Sequence, residues 1–216
     1  MLRFAEEIVL LLLNDEDGRF ARLSNISMDY ALAGGVLMDL ALENRIDTDL
    51  EKLMLIDSTP TGDSLLDPTL ADIADVGGHD TRFWLERAAT RSDELREDAL
   101  NRLVDQGILE RAEDRFMWVF KSRRYPTIDG EAQREVKLRI MAVLFSDEIP
   151  DPRDIVIIAL ADACGIFKSI FTSSELERVA PRIEQVRKLD LIGQEMMHAI
   201  QDIELTLAQA MQPHMY

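Results

Sequence analysis

Little in this chain of 216 residues is basic, aromatic or thiol-bearing. Its single cysteine, Cys164, excludes an internal disulfide and fits a reducing cytoplasm. Lysine and arginine number 24 against 41 aspartates and glutamates. The resulting formal net charge of −17 opposes general nucleic-acid binding and attraction to an anionic membrane surface, unless a local basic face dominates. No apolar run suits a comfortable membrane span. The richest stretch, residues 155–171, carries Asp162 and Lys168 and reads as one buried core helix. The first seven residues hold one arginine before two glutamates, unlike a secretory signal. His79, His198 and His214 are not spaced with Cys164, a serine elbow or a carboxylate pair as nucleophilic catalysis requires. Zinc-ligand spacing, a phosphate loop and a dinucleotide glycine fingerprint are also missing, so no catalytic residue, metal or cofactor is assigned. An acidic turn at residues 14–18 fails as a calcium loop: with Gly18 sixth, Leu13 falls first and Ser24 twelfth, where oxygen-rich ligands including a glutamate are needed.

What is present is helical spacing. Ile26, Tyr30, Ala33, Leu37 and Ala41 share one helical face, widened by Leu32, Val36 and Leu40. Gly34 and Gly35 interrupt this helix, each costing about 1 kcal/mol relative to alanine, so another helix or a ligand must approach the backbone there. Asn44 is a left-handed stop, and Pro60, Gly62 and Asp63 mark a turn. Further helices are predicted over residues 4–13, 65–76 and 83–89, and from Ser92 to a stop at Gly107 with Leu95, Ala99, Leu100 and Leu103 as its buried stripe. Others follow over residues 131–145, 155–171, 174–189 and 191–211. Ser174 with Glu177 reads as a capping box, and Pro181 should start or kink its helix. Two short strands are predicted within residues 46–56. A β-hairpin is predicted around Phe116, Met117, Trp118, Val119 and Phe120, because that run is aromatic and β-favouring. Residues 40–56 and 103–120 share one order: helix end, stop, isoleucine, polar loop, β-like run. That order implies two winged-helix-like units. The expected fold is therefore mainly α: one globular domain over residues 1–216, a central helix bundle with a projecting β-hairpin.

Three segments carry a family resemblance: Leu32-Ala-Gly-Gly-Val-Leu-Met-Asp-Leu-Ala41, Pro60-Thr-Gly-Asp-Ser-Leu-Leu-Asp67 and Leu103-Val-Asp-Gln-Gly-Ile-Leu109. In this order, from about Glu6 to about Ala208, the chain resembles the Golgi phosphoprotein 3 family. The resemblance implies an all-helical, non-enzymatic domain that binds phosphatidylinositol 4-phosphate and acts as a peripheral membrane adaptor for protein partners. The short N-terminus and the altered pocket described next fit a divergent, prokaryotic-type member.

The family's headgroup pocket uses a tryptophan and an arginine ahead of the Gly-Gly pair and two basic residues before the Leu-Val landmark. Here those positions fall on Ser24, Ala33, Asp93 and Arg96, so Arg96 alone keeps the charge. A phosphate monoester calls for several convergent cations. Arg96 has two readings: a headgroup contact, with Arg19, Arg22 and Arg91 approaching the same place, or an ion pair with Asp93 on its own helix. The resemblance also implies that the hairpin, with Lys121, Arg123 and Arg124, dips into the bilayer or self-associates. Residues 111–139 hold eight basic residues against five acidic ones, the one markedly basic region. A hairpin folded onto its own core is the alternative. The expected protein is cytoplasmic and peripheral on membranes, binds anionic phospholipid and forms a homo-oligomer. The readings from other classes are a winged-helix-like nucleic-acid regulator with Arg111, Arg115, Lys121, Arg123 and Arg124 as its wing, which the overall charge opposes, and a purely protein-binding oligomer.

Overall fold

A computed structural model describes residues 1–14, 18–21, 23–48, 52–113, 123–128, 130–189 and 191–210. The chain runs α1 (Phe4–Leu12), α2 (Asn25–Leu42), β1 (Ile46–Thr48), β2 (Leu53–Leu55), α3 (Asp67–Val76), α4 (Thr81–Ala89) and α5 (Ser92–Asp105). It continues through β3 (Ala112–Glu113), β4 (Arg123–Arg124), α6 (Glu131–Leu144), α7 (Pro152–Ala163), α8 (Phe167–Ile170), α9 (Ser173–Arg187) and α10 (Leu191–Ala210).

α2 is the axis of the fold. Residues 31–40 are all buried, because α1, α3, α4, α5, α7 and α10 pack around it. A helix surrounded in this way must be apolar on every side, which is why its sequence shows a broad face rather than a stripe. The two glycines are explained by helices. A Cβ on Gly35 would stand 3.1 Å from Phe4 Cβ and 3.3 Å from the Ala5 nitrogen, and one on Gly34 would meet Leu160 Cδ2 at 2.7 Å. Thus α1 lies against one side of the pair and α7 against the other, and the cost of two glycines in mid-helix is offset by that close packing.

Each predicted wing is a two-stranded antiparallel pair. β1 and β2 align Ile46 with Leu55 and Thr48 with Leu53, burying Ile46 and Leu53, after Asn44 has stopped α2 at φ 55°. β3 and β4 align Ala112 with Arg124 and Glu113 with Arg123, and a bridge joins Leu109 to Thr127. The order helix, stop, strand pair therefore occurs twice. Phe116, Met117, Trp118, Val119, Phe120 and Lys121 lie outside the described residues. The base of this second hairpin belongs to the core: Leu109 and Tyr125 are buried, and the Tyr125 amide donates to the Gly18 carbonyl at 2.9 Å. Gly18 has φ +63°, and a Cβ there would meet the Pro126 nitrogen at 2.4 Å. Gly18→Ala should therefore cost at least about 1 kcal/mol and strip exchange protection from the Tyr125 amide while leaving the helical signal unchanged. Retained protection would show that this turn does not hold the hairpin base.

Two expectations need correction, and one pair of alternatives is narrowed. The apolar stretch of residues 155–171 is two helices, because Gly165 turns left-handed at φ 68° and ends α7 before α8 begins. The capping box of α9 lies two residues earlier than predicted: Thr172 Oγ1 accepts from the Glu175 amide at 3.4 Å, and the Glu175 carboxylate accepts from the Thr172 amide at 2.8 Å. Pro181 lies inside α9 rather than at its start.

Candidate functional site

The place assigned to a headgroup is where the first turn of α2 meets α5. Ser24 caps α2, its hydroxyl accepting from the Ser27 amide at 3.0 Å, as serine does where a helix leaves four amides unbonded. Arg96 projects from α5 across this turn. One of its nitrogens donates to Met28 Sδ at 3.7 Å and another to Asp93 Oδ1 at 2.6 Å. Its side chain is 36 % exposed and that of Asp93 87 %, so this is an i,i+3 surface pair worth at most about 1 kcal/mol. Such a pair is cheaply exchanged for a stronger anion. Ala33 is fully buried in the core and contributes nothing to the surface. Arg91 pairs with Glu94 at 2.9 Å rather than joining Arg96, and Arg22 lies outside the described residues. A cavity of about 380 Å³ opens beside the same turn, between Ser24, Ser27 and the α7 to α8 junction with Asp162, Lys168 and Ser169; Arg96 is outside its lining. Asp162 there pairs with Arg187 at 2.7 Å, and burial pushes its pKa above the usual carboxylate value.

The three landmark segments meet elsewhere, in a network of arginines and carboxylates around α1. Glu6 and Glu7 sit in an otherwise apolar helix, and both are buried. Asp39, from the Gly-Gly segment, is 1 % exposed; it accepts from the Phe4 amide at 2.8 Å and from Arg153 at 3.1 Å. Arg153 also donates to the Leu2 carbonyl at 2.8 Å and lies 4.1 Å above the centre of the Phe4 ring. Arg139 bridges Glu7 at 3.2 Å and Asp154 at 2.8 Å. Asp63, from the Pro-Thr-Gly-Asp turn, receives Arg3 at 2.8 Å and Arg102 at 2.6 Å. Arg102, one residue before the Leu-Val landmark, reaches Glu6 as well, at 3.2 Å, and Gln106 within that landmark donates to the same oxygen at 3.0 Å.

The electrostatics divide accordingly. Burial pushes the pKa of Glu7 and Asp39 above the usual carboxylate range, although arginines and, for Asp39, the Phe4 amide pull the other way. Asp63 is less enclosed: burial raises it, but hydrogen bonds from Arg3, the Leu65 amide and Arg102 overcome that and lower its pKa. Asp67 ends the same landmark by accepting from the Thr61 amide and hydroxyl, both at 2.7 Å, and from the Gly62 amide at 3.0 Å. The landmarks thus hold α1, α2, α5 and the turn together, and their aspartates are committed to that work. Sequence reading missed these partners, though one signal was legible: Glu6, Glu7 and Asp39 interrupt apolar helices, and charges so placed need cations.

Of the hairpin's cations, Arg123 and Arg124 lie on β4, antiparallel to Glu113 and Ala112. Among the described residues no helix is long and apolar enough to cross a membrane.

Residues 4–203 match the family model described as Golgi phosphoprotein 3 (GPP34). The chain is similar to vacuolar protein sorting-associated protein 74 of Eremothecium gossypii, 24 % identical over 212 residues that cover 82 % of this chain and 63 % of that protein. It is also 27 % identical over 166 residues to the protein of that name in Schizosaccharomyces pombe, covering 67 % of this chain and 49 % of the relative. The chain therefore spans about half to two thirds of the length of these curated relatives. Both are fungal, and neither supports the prokaryotic-type member expected above.

Proposed function

Because this chain belongs to the Golgi phosphoprotein 3 (GPP34) family, we propose that it is a non-enzymatic adaptor, folded as one domain over residues 1–216, that associates peripherally with the cytoplasmic face of Golgi membranes. Arg96 receives the phosphate of an anionic headgroup, phosphatidylinositol 4-phosphate being the ligand the family implies. The hairpin carrying Phe116 to Phe120, Lys121, Arg123 and Arg124 supplies the second contact, with bilayer or with another copy, and protein partners are held by the assembled molecule.

The observation that supports this reading is the state of Arg96. Its guanidinium lies at the surface, donating to Met28 Sδ and paired with Asp93 on its own helix, at one of the positions the family resemblance assigns to the headgroup. With serine, alanine and aspartate at the other three positions, the affinity expected from this site alone is modest and depends on the hairpin for reinforcement. Cosedimentation with vesicles containing phosphatidylinositol 4-phosphate tests the reading. Reversing the charge with Arg96→Glu should cost about 2 kcal/mol, more than tenfold in affinity, at low salt. Vesicle binding that Arg96→Glu leaves unchanged removes the headgroup assignment.

A further inference from the structure

Helix α6 carries two apolar faces, and only one of them enters the core. Val136, Ile140, Val143 and Leu144 are buried on the first. Leu138 and Phe145 lie on the second, 60 % and 41 % exposed, with exposed Ala142 between them. These three stand at i, i+4 and i+7, the spacing of a single helical stripe. Ile149, 94 % exposed in the turn that follows, extends the stripe past the helix end. Apolar side chains exposed singly are ordinary, but a row of them along one element marks a contact surface. Within the chain, Arg178 of α9 covers part of this row, its guanidinium 5.1 Å from the centre of the Phe145 ring.

The two ends of the stripe carry opposite charge. Arg134, one turn before Leu138, is exposed and enters no ion pair among the described residues. Asp147 and Glu148, just before Ile149, are exposed, and their carboxylates are equally unpaired among those residues. The turn that bears them is held in place: the Ser146 hydroxyl accepts from the Glu148 amide at 3.2 Å, and Arg182 donates to the Glu148 carbonyl. Glu135 lies about 100° round the helix from Arg134, on the other flank of the stripe.

A second copy of the chain is the occupant that this pattern fits. Two chains of net charge −17 repel each other, so a face they share must bring its own balance of charge. Leu55, Ile56 and Val76 are also exposed, but they lie in the acidic segment between Asp39 and Asp80, which has no such balance. Antiparallel pairing of two α6 stripes about a two-fold axis sets Arg134 of each copy beside Asp147 and Glu148 of the other, so one complementary contact is made twice. Leu138 then meets Phe145 of the other copy, and the small Ala142 near the axis lets the helices close to about 8–10 Å. A bilayer fits less well, because the same two carboxylates would be pressed against anionic headgroups.

We propose that the outer face of α6 is a two-fold self-association surface, separate from Arg96 and from the hairpin. Sedimentation velocity on the full chain tests it. The native chain should associate, and Leu138→Asp should halve the mass of the associated species. Arg134→Glu alone, and Asp147→Lys with Glu148→Lys, should each weaken association by about tenfold or more, because like charges then face each other twice across the axis. The lysine variant should do so even though it lowers the chain's net negative charge. Combining all three substitutions should restore association, since the pairs are then re-formed with the signs exchanged. Circular dichroism checks that each variant is folded. A native chain that stays monomeric to its solubility limit, an unchanged mass for Leu138→Asp, or a combined variant no stronger than its parents overturns the proposal. Vesicle binding lost with Leu138→Asp in a monomeric chain would assign the stripe to the bilayer and overturn it equally. Arg96→Glu should leave the association unchanged, so the result stands apart from the fate of the headgroup experiment.

Discussion

Asp39→Ala should lower the free energy of unfolding by about 3–5 kcal/mol, read as a fall in the urea midpoint without a change in slope. The reason is what the carboxylate leaves behind. The Phe4 amide and the Arg153 guanidinium both donate to it, and Asp39 lies at the buried crossing of α1 and α2, where the Phe4 amide has no water to turn to. Leaving the buried Phe4 amide without an acceptor and Arg153 with only the more distant Glu7 carboxylate, at 3.7 Å, costs more than the pair contributed, since burial already pushes the Asp39 pKa upward. Asp39→Asn keeps an oxygen for the Phe4 amide and should cost less than alanine. Asp93→Ala, breaking the exposed pair with Arg96, should change stability by about 0–1 kcal/mol, which makes it the internal control. A loss below about 1 kcal/mol for Asp39→Ala would mean that the network is not a support of the fold.

The second large effect is at Gln133, a buried amide on α6 that nothing in the chain's periodicity marks as special. Its Nε2 donates to the carbonyls of Leu10 at 2.9 Å and Leu13 at 2.7 Å, which lie in and just beyond the last turn of α1. A helix ends with carbonyls that lack partners inside it, and here the end is buried, so water cannot supply them. Gln133→Leu keeps the approximate volume and leaves both carbonyls without these donors, at about 1–3 kcal/mol for each. Thermal unfolding should show a drop in midpoint of several degrees or more. An unchanged midpoint would show that the end of α1 finds other donors.

Much of the architecture was legible because it rests on local rules. The helices at residues 4–12 and 25–42 follow from their apolar spacing, the stop at Asn44 from its tolerance of the left-handed region, and the paired strands from short β-favouring runs. The errors have equally local causes. Hydropathy is blind to Gly165, which breaks a continuous apolar run into two helices. Ser174 with Glu177 and Thr172 with Glu175 are equally good capping boxes on paper, and the chain's route into α9 selects the earlier one. The site was less legible. Asp93 beside Arg96 could be read from their three-residue spacing, since both belong to one helix.

By itself the sequence determined that the chain is helical, that it is strongly acidic, that α2 is its central element, and which family its landmarks resemble. Each of these depends on neighbours a few residues apart or on composition. Only the tertiary structure decided what the landmarks do. Glu6 with Arg102, Glu7 with Arg139 and Asp39 with Arg153 are separated by roughly a hundred residues, and no periodic rule connects such positions. Partner choice for a buried charge is settled by which helix ends the packing brings within about 3 Å, and that is a property of the folded core rather than of any segment within it.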